Sequence, residues 1–181
     1  MTKPITIAVL ADCHIHPAAG IDWPPSFLAS LRGVDRIVTL GDMGESSGID
    51  ALEAIAPVSG VLGEDDEGHE AALAMTLLIE EGGLRIGCVF DPVAAGLALS
   101  KAPFVASPDA VEMEEDLFDG ALDVLLCAST HKAAINRDGE GLLVIDPGSV
   151  TLPDGAEQGA KGTYARLILD NGEARAEIVE V

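Results

Sequence analysis

Aromatic side chains make up only 3% of this 181-residue chain, so a core must be built from Leu, Val, Ile and Ala instead. Cysteine is nearly as scarce. Cys13, Cys88 and Cys127 are scattered, odd in number and form no C-x-x-C, which speaks against a zinc knuckle and against a disulfide framework. Cys88 and Cys127 lie in apolar runs and read as small buried hydrophobes. No apolar run reaches the roughly 18 residues that a membrane-spanning helix needs. The opening stretch, MTKPITIAVLADCHIH, lacks a signal-peptide pattern, because its short apolar run ends in Asp and His. The expectation is a cytoplasmic protein. Basic residues are few, 10 Lys+Arg against 31 Asp+Glu, for a net charge of −21. Such a field repels phosphate backbones and anionic membranes, so neither nucleic acid nor membrane is an expected partner. A small phosphorylated substrate stays admissible where a bound cation inverts the local potential.

What is there starts at the N-terminus. Ile5, Ile7, Val9 and Leu10 predict a buried parallel strand, apolar with little alternation. Asp12, Cys13, His14, Ile15 and His16 follow at once. Ligands in open α/β sheets gather at the carboxyl ends of strands. In an extended chain Asp12 and His14 point the same way, and carboxylate plus imidazole suits a divalent transition metal. Two further strands, over residues 35–40 and 58–62, also end in acidic loops, at Gly41-Asp42 and at Gly63-Glu64-Asp65-Asp66-Glu67. Three strand ends carrying carboxylates make a site hypothesis out of a motif that is weak alone.

Between these strands the pattern predicts short helices over 26–31 and 49–55, the second capped by Ser46 or Ser47. Residues 74–80 and 84–90 flank Glu81-Gly82-Gly83 as a hairpin. A small helix is expected over 93–100, a loop over 102–107 and a longer helix over 108–121. Residues 122–127 read as another buried strand, followed by Ala128-Ser129-Thr130-His131. Strands over 132–135 and 141–145 flank a turn at Asn136-Arg137-Asp138-Gly139. Asp146-Pro147-Gly148-Ser149 is a rigid loop and 152–161 a Gly-rich one. Residues 163–169 and 173–179 flank Asn171-Gly172, the strongest hairpin signal in the chain. Strand and helix alternate in the first half and hairpins dominate the second. With no internal repeat and no linker, the expectation is one domain over 1–181, an α/β four-layer α/β/β/α sandwich of two mixed sheets with helices outside.

These residues resemble the calcineurin-like metallophosphoesterases, closest to the small YfcE-type phosphodiesterases and the retromer subunit of that fold. That family shows D-x-H, G-D, G-N-x-D, H-G, G-H-T-H and N-P-G-S in order. Here they stand as Asp12-Cys13-His14, Gly41-Asp42, Gly63-Glu64-Asp65-Asp66, Phe90-Asp91, Ala128-Ser129-Thr130-His131 and Asp146-Pro147-Gly148-Ser149. The resemblance implies two metals sharing one aspartate. Asp12, His14, Asp42 and His131 match the ligands of the first ion, and Asp42 and His131 are the residues it implies for catalysis. For the second ion the family's Asn and two His are replaced by Glu64, Phe90 and Ser129. Glu64 remains a hard ligand; Phe90 cannot ligate. The expected cofactor is a divalent metal (manganese, zinc, iron or nickel), with one site intact. Asp91, Asp65 or His16 are the residues open to replace the lost ligands.

The leading reading is a metal-dependent phosphoesterase acting on a small phosphodiester or monoester. The alternative is a weak or inactive member that serves as a protein-binding scaffold; a metal-sensing or storage module has little support. Several residues carry plainer readings. His16 is equally a surface loop histidine or a substrate contact, and His69 is expected exposed and silent. Asp65, where many relatives of the resembled family carry a histidine, is expected to solvate or cap, and Asp66 to brace its loop. Trp23 is expected to cover an apolar edge. Asp146 and Ser149 are expected to hold a turn.

Overall fold

The structure is a computed structural model and describes residues 3–66, 73–97, 99, 117–139, 141–153 and 160–181. In chain order its regular elements are β1 (Ile5–Leu10), α1 (Pro25–Ser30), β2 (Arg36–Thr39), α2 (Ser46–Glu53), β3 (Val58–Gly60), β4 (Thr76–Glu81), β5 (Leu84–Val89), β6 (Val124–Leu126), β7 (Ala134–Arg137), β8 (Leu143–Asp146), β9 (Thr163–Asp170) and β10 (Glu173–Glu180).

The strands form two mixed five-stranded sheets, ordered β10-β9-β1-β2-β3 and β4-β5-β6-β8-β7. In the first, β1, β2 and β3 run parallel, and β9 and β10 join them antiparallel. In the second, β5, β6 and β8 run parallel, and β4 and β7 flank them antiparallel.

Side-chain alternation sets the layers. Ile7, Val9 and Val38 of the first sheet meet Ile86, Cys88, Val124, Leu126 and Ile145 of the second in the central core. Ala8, Leu10 and Ile37 face the other way and pack under Trp23, Phe27 and Leu31, with Leu52 of α2. On the far face of the second sheet, Val89, Leu125, Cys127 and Val144 pack against Leu97, Leu99, Phe118 and Leu122. Trp23 is buried in the helical layer, its indole N–H donating to Gly48 O at 3.0 Å. All three cysteines are buried and free.

Local differences from the sequence reading have physical causes. α2 begins at Ser46, with Glu45 at the N-cap and no side-chain cap bond, so neither serine caps it. Residues 92–96 form turns rather than a helix, wound by the Asp91 carboxylate accepting the amides of Val93 and Ala94. Asn136 and Arg137 belong to β7; beyond them Asp138 Oδ1 accepts the amides of Gly141 and Leu142. At the second hairpin Asn171 and Gly172 both have positive φ, 52° and 79°, the twist a tight hairpin needs. The loop expected over 102–107, His69, most of the helix expected over 108–121 and residues 154–159 of the Gly-rich loop lie outside the described residues. Among the described residues no helix is long and apolar enough to cross a membrane.

Candidate metal centre

The parallel strands β1 and β2 end side by side, and their loops are zipped together. Asp12 N donates to Gly41 O, His14 N to Asp42 O and Ile15 N to Met43 O, at 3.1, 2.8 and 2.9 Å. This approach requires Gly44, at φ +86°: a Cβ there would stand 2.4 Å from Ile15 N. The acidic loop after β3 closes the arrangement. Asp66, buried, accepts the amides of Asp42, Met43 and Gly63, so it braces its neighbours as well as its own loop.

Backbone strain marks the same loops. Asp12, His14, Asp42, Ser129 and His131 all have positive φ, between 45° and 76°. Such conformations cost of order 1–3 kcal/mol each and cluster where surrounding structure imposes them. Asp12 and His14 therefore come together on left-handed backbone, not through the alternation of an extended strand.

The structure brings four of the five expected ligands together. His131, from the loop after β6, donates its backbone N–H to Asp12 Oδ2 at 3.1 Å. The His14 and His131 rings lie parallel, 5° apart in plane, with centroids 5.4 Å apart. His14 Nε2 lies 3.6 Å from Asp42 Oδ2. Glu64 is exposed and bonds to none of them. Among the described residues no three His, Cys, Asp or Glu side chains are drawn in tightly enough to grip an ion. The four are neighbours, not a closed cage.

Each of the four has one polar atom held by protein and one left over. Asp12 Oδ2 takes the His131 amide, and its buried Oδ1 has no partner. Asp42 Oδ1 takes the Asp65 amide at 2.8 Å, leaving Oδ2 on the His14 side. His14 Nδ1 is bonded to Asp65 Oδ2 at 2.6 Å, leaving Nε2. His131 Nδ1 is bonded to Leu152 O at 2.8 Å, and among the described residues nothing bonds its Nε2. A second acceptor fixing each ring is the usual support of a metal-binding imidazole. The donor set therefore fits a divalent ion, and the orphaned Asp12 oxygen is the atom that most needs one.

Electrostatics agree. Burial pushes Asp12 up to about 6, against the pull of His131. Asp65 behaves oppositely. Burial alone would raise it, but hydrogen bonds from His14 and His16 outweigh that and hold it below the usual carboxylate range. His16 Nε2 lies 2.9 Å from Asp65 Oδ2, and its Nδ1 lies 3.5 Å from Glu45; the bond to Asp65 raises its pKa. Asp65 thus couples two imidazoles, where the sequence suggested that it solvates or caps. His16, half-buried, is held to Asp65.

The loop after β8, Asp146-Pro147-Gly148-Ser149, supplies further support. Ser149 Oγ donates to Asp12 O at 2.7 Å and accepts the Leu152 amide, which fixes the carbonyl that holds His131. Asp146 accepts Thr130 Oγ1 at 2.6 Å and the Gly148 amide at 2.9 Å, and burial pushes it up to about 7. On the second-ion side, Phe90 packs against the central core. Asp91 is committed to its turn.

Comparison with known proteins now decides the family. Residues 5–172 match the model of the calcineurin-like phosphoesterase superfamily domain. The chain belongs to that superfamily. It is 26% identical over 147 residues to a probable metallophosphoesterase of Methanothermobacter thermautotrophicus, covering 81% of this chain and 78% of that protein. Among solved structures it is similar to Vps29 of Chaetomium thermophilum (TM-score 0.66, 23% identity, 98% and 97% of the two chains). It is also similar to Vps29 of Entamoeba histolytica in complex with zinc (TM-score 0.66, 21% identity, 97% and 99%). At that identity the two Vps29 structures establish the fold.

Proposed function

We propose that this member of the superfamily is a metal-dependent phosphoesterase that holds one divalent ion through Asp12, His14, Asp42 and His131. The observation that carries the reading is the set of left-over donor atoms, above all the buried Asp12 oxygen that has no partner among the described residues. A bound divalent ion supplies Lewis acidity to a phosphoryl oxygen and to an attacking water. The chain's own residues orient and hold. Asp65 and Leu152 O turn the two imidazoles so that Nε2 is the free nitrogen of each. The His131 amide holds Asp12, and the Asp65 amide holds Asp42. The ion is manganese, zinc, iron or nickel by the mixed oxygen and nitrogen donor set, and the zinc in the Entamoeba relative supports that range. The substrate is a small phosphodiester or monoester. A metal analysis of the purified protein, paired with hydrolysis of bis(p-nitrophenyl) phosphate in added manganese, tests the reading. About one ion per chain and manganese-dependent release of nitrophenol are expected; no bound ion and no hydrolysis would overturn it.

A second reading, a weak or inactive member that binds a protein partner, draws on Phe90 and Ser129, which remove two imidazoles from the second-ion side. A Vps29 of Chaetomium thermophilum similar to this chain is solved with a cyclic peptide, which supports a scaffold role for the fold. The same hydrolysis assay separates the two readings.

A further inference from the structure

An apolar cavity of about 370 Å³ opens beside Gly63, which packs against Asp42. It is lined by Leu62, Met75, Val89, Phe90 and Leu117, with Glu64 and Asp91 as its ionisable groups. Gly63 is the wall it shares with the candidate metal centre: a Cβ built there would stand 2.3 Å from Asp42 Oδ1. Phe90, another lining residue, packs against Gly41, the residue before Asp42: its Cδ2 lies 2.8 Å from where a Cβ on Gly41 would sit. A group held in this cavity is separated from Asp42 by the Gly63 backbone alone. Met75, a large apolar side chain that is 73% exposed, lies along the same cavity.

We propose that this cavity binds an uncharged apolar group, aryl or alkyl, esterified to the phosphoryl group of the substrate. The inference rests on the phosphoesterase reading and names its substrate class. The lining excludes the alternatives. Among the described residues no Lys or Arg borders the cavity, and a second phosphate or a carboxylate on the substrate would meet the like charge of Glu64 and Asp91. Asp91 Oδ1 already accepts two amides, at 2.8 and 3.0 Å, so it is poorly placed to reward a sugar hydroxyl or a cation. Burial of a ring against Leu62, Phe90 and Leu117 is what remains, and the volume falls in the range of small-molecule pockets.

The test compares two diesters with one leaving group, p-nitrophenyl phenyl phosphate and p-nitrophenyl methyl phosphate, on the full chain in manganese. The phenyl ester should be preferred in kcat/KM by about tenfold or more, the scale on which apolar pockets discriminate. Met75→Gln should lower that ratio. In parallel, the 13C-methyl resonances of Met-labelled protein are followed with phenylphosphonate and with methylphosphonate, the Met75 signal being assigned by its loss in Met75→Gln. Phenylphosphonate alone should shift it. If neither ester is cleaved but phenylphosphonate shifts Met75, the phosphoesterase reading falls and the binding site stands. Equal cleavage of both esters with an unmoved Met75 signal would overturn the proposal.

Discussion

The backbone N–H of His131 donates to the carboxylate of Asp12 at 3.1 Å, across 119 positions of sequence. Asp12 follows β1 of one sheet and His131 follows β6 of the other, so this bond stitches the sheets together at the mouth of the central core. It also spends one Asp12 oxygen and leaves the other, buried, without a partner.

That orphaned oxygen predicts metal-dependent stability. Manganese at about 100 times its dissociation constant should add about 2.7 kcal/mol, or about 5–10 °C in melting temperature for a chain of this size. Asp12→Asn and Asp42→Asn should each lose most of the gain. Thermal melts in manganese against chelator are the check, and equal melting temperatures for the wild type would remove the main support for a bound ion.

The Asp65 contact predicts a tautomer. With Nδ1 held at 2.6 Å from Asp65 Oδ2, neutral His14 should carry its proton on Nδ1 and leave Nε2 bare. Asp65→Ala should mix the tautomers and weaken manganese binding about 10–100-fold, the usual cost of losing such support. Nitrogen-15 spectra of the imidazoles read the first effect and calorimetry the second. An unchanged His14 spectrum would show that Asp65 is not its positioning residue.

Much of this arrangement is legible in sequence because strands of apolar residues announce their own ends. Asp12, Asp42 and His131 each follow such a run, and parallel strands bring those ends to one edge. Asp65 is not legible in the same way. Its role depends on which way one short loop turns, and that is set by Asp66 gripping three amides from below. Glu64, one position earlier, is turned outward for the same reason. The Leu152 carbonyl acts through the backbone of an ordinary loop, which leaves no pattern; Ser149 lies in the Asp146-Pro147-Gly148-Ser149 motif, but its hydrogen bond to the Asp12 carbonyl does not show in it. The Asn136 turn fails because strand pairing with β8 overrides local propensity, and β7 runs through Asn136 to Arg137.

Buried carboxyls predict an unusual pH dependence. Burial raises Asp146 to about 7 and Asp12 to about 6, both above the ordinary value of 3.8. A carboxyl with a raised folded pKa binds its proton more tightly when folded. Its contribution to stability is therefore complete below the ordinary value and is lost as pH rises through 6 to 7. In chelator the protein should melt lower at about pH 8 than at about pH 5, with an upper limit of about 3 kcal/mol from Asp146 over that window. Asp146→Asn keeps an acceptor for the Gly148 amide and should flatten the profile. A wild-type stability that instead rises over this window would show that these groups are ionised without penalty.

The altered second-ion side predicts weak turnover at limiting metal. Phe90 and Ser129 offer no imidazole, so activity should climb with excess manganese instead of saturating at two tightly bound ions. Phe90→His, Ser129→His and Glu64→Asn together should raise activity, and single changes should do less, because ligands of one ion act as a unit. A manganese titration of wild type and triple variant is the check, with Asp42→Asn as the inactive control. A wild type as fast as the triple variant would mean that other residues complete the second site.

The central claim, one ion shared by Asp12, His14, Asp42 and His131, is tested most directly by anomalous diffraction from crystals grown with manganese. A single strong peak in contact with all four side chains is the predicted result. An empty map at that position, or a peak that touches other residues and leaves the Asp12 oxygen unpaired, would contradict it.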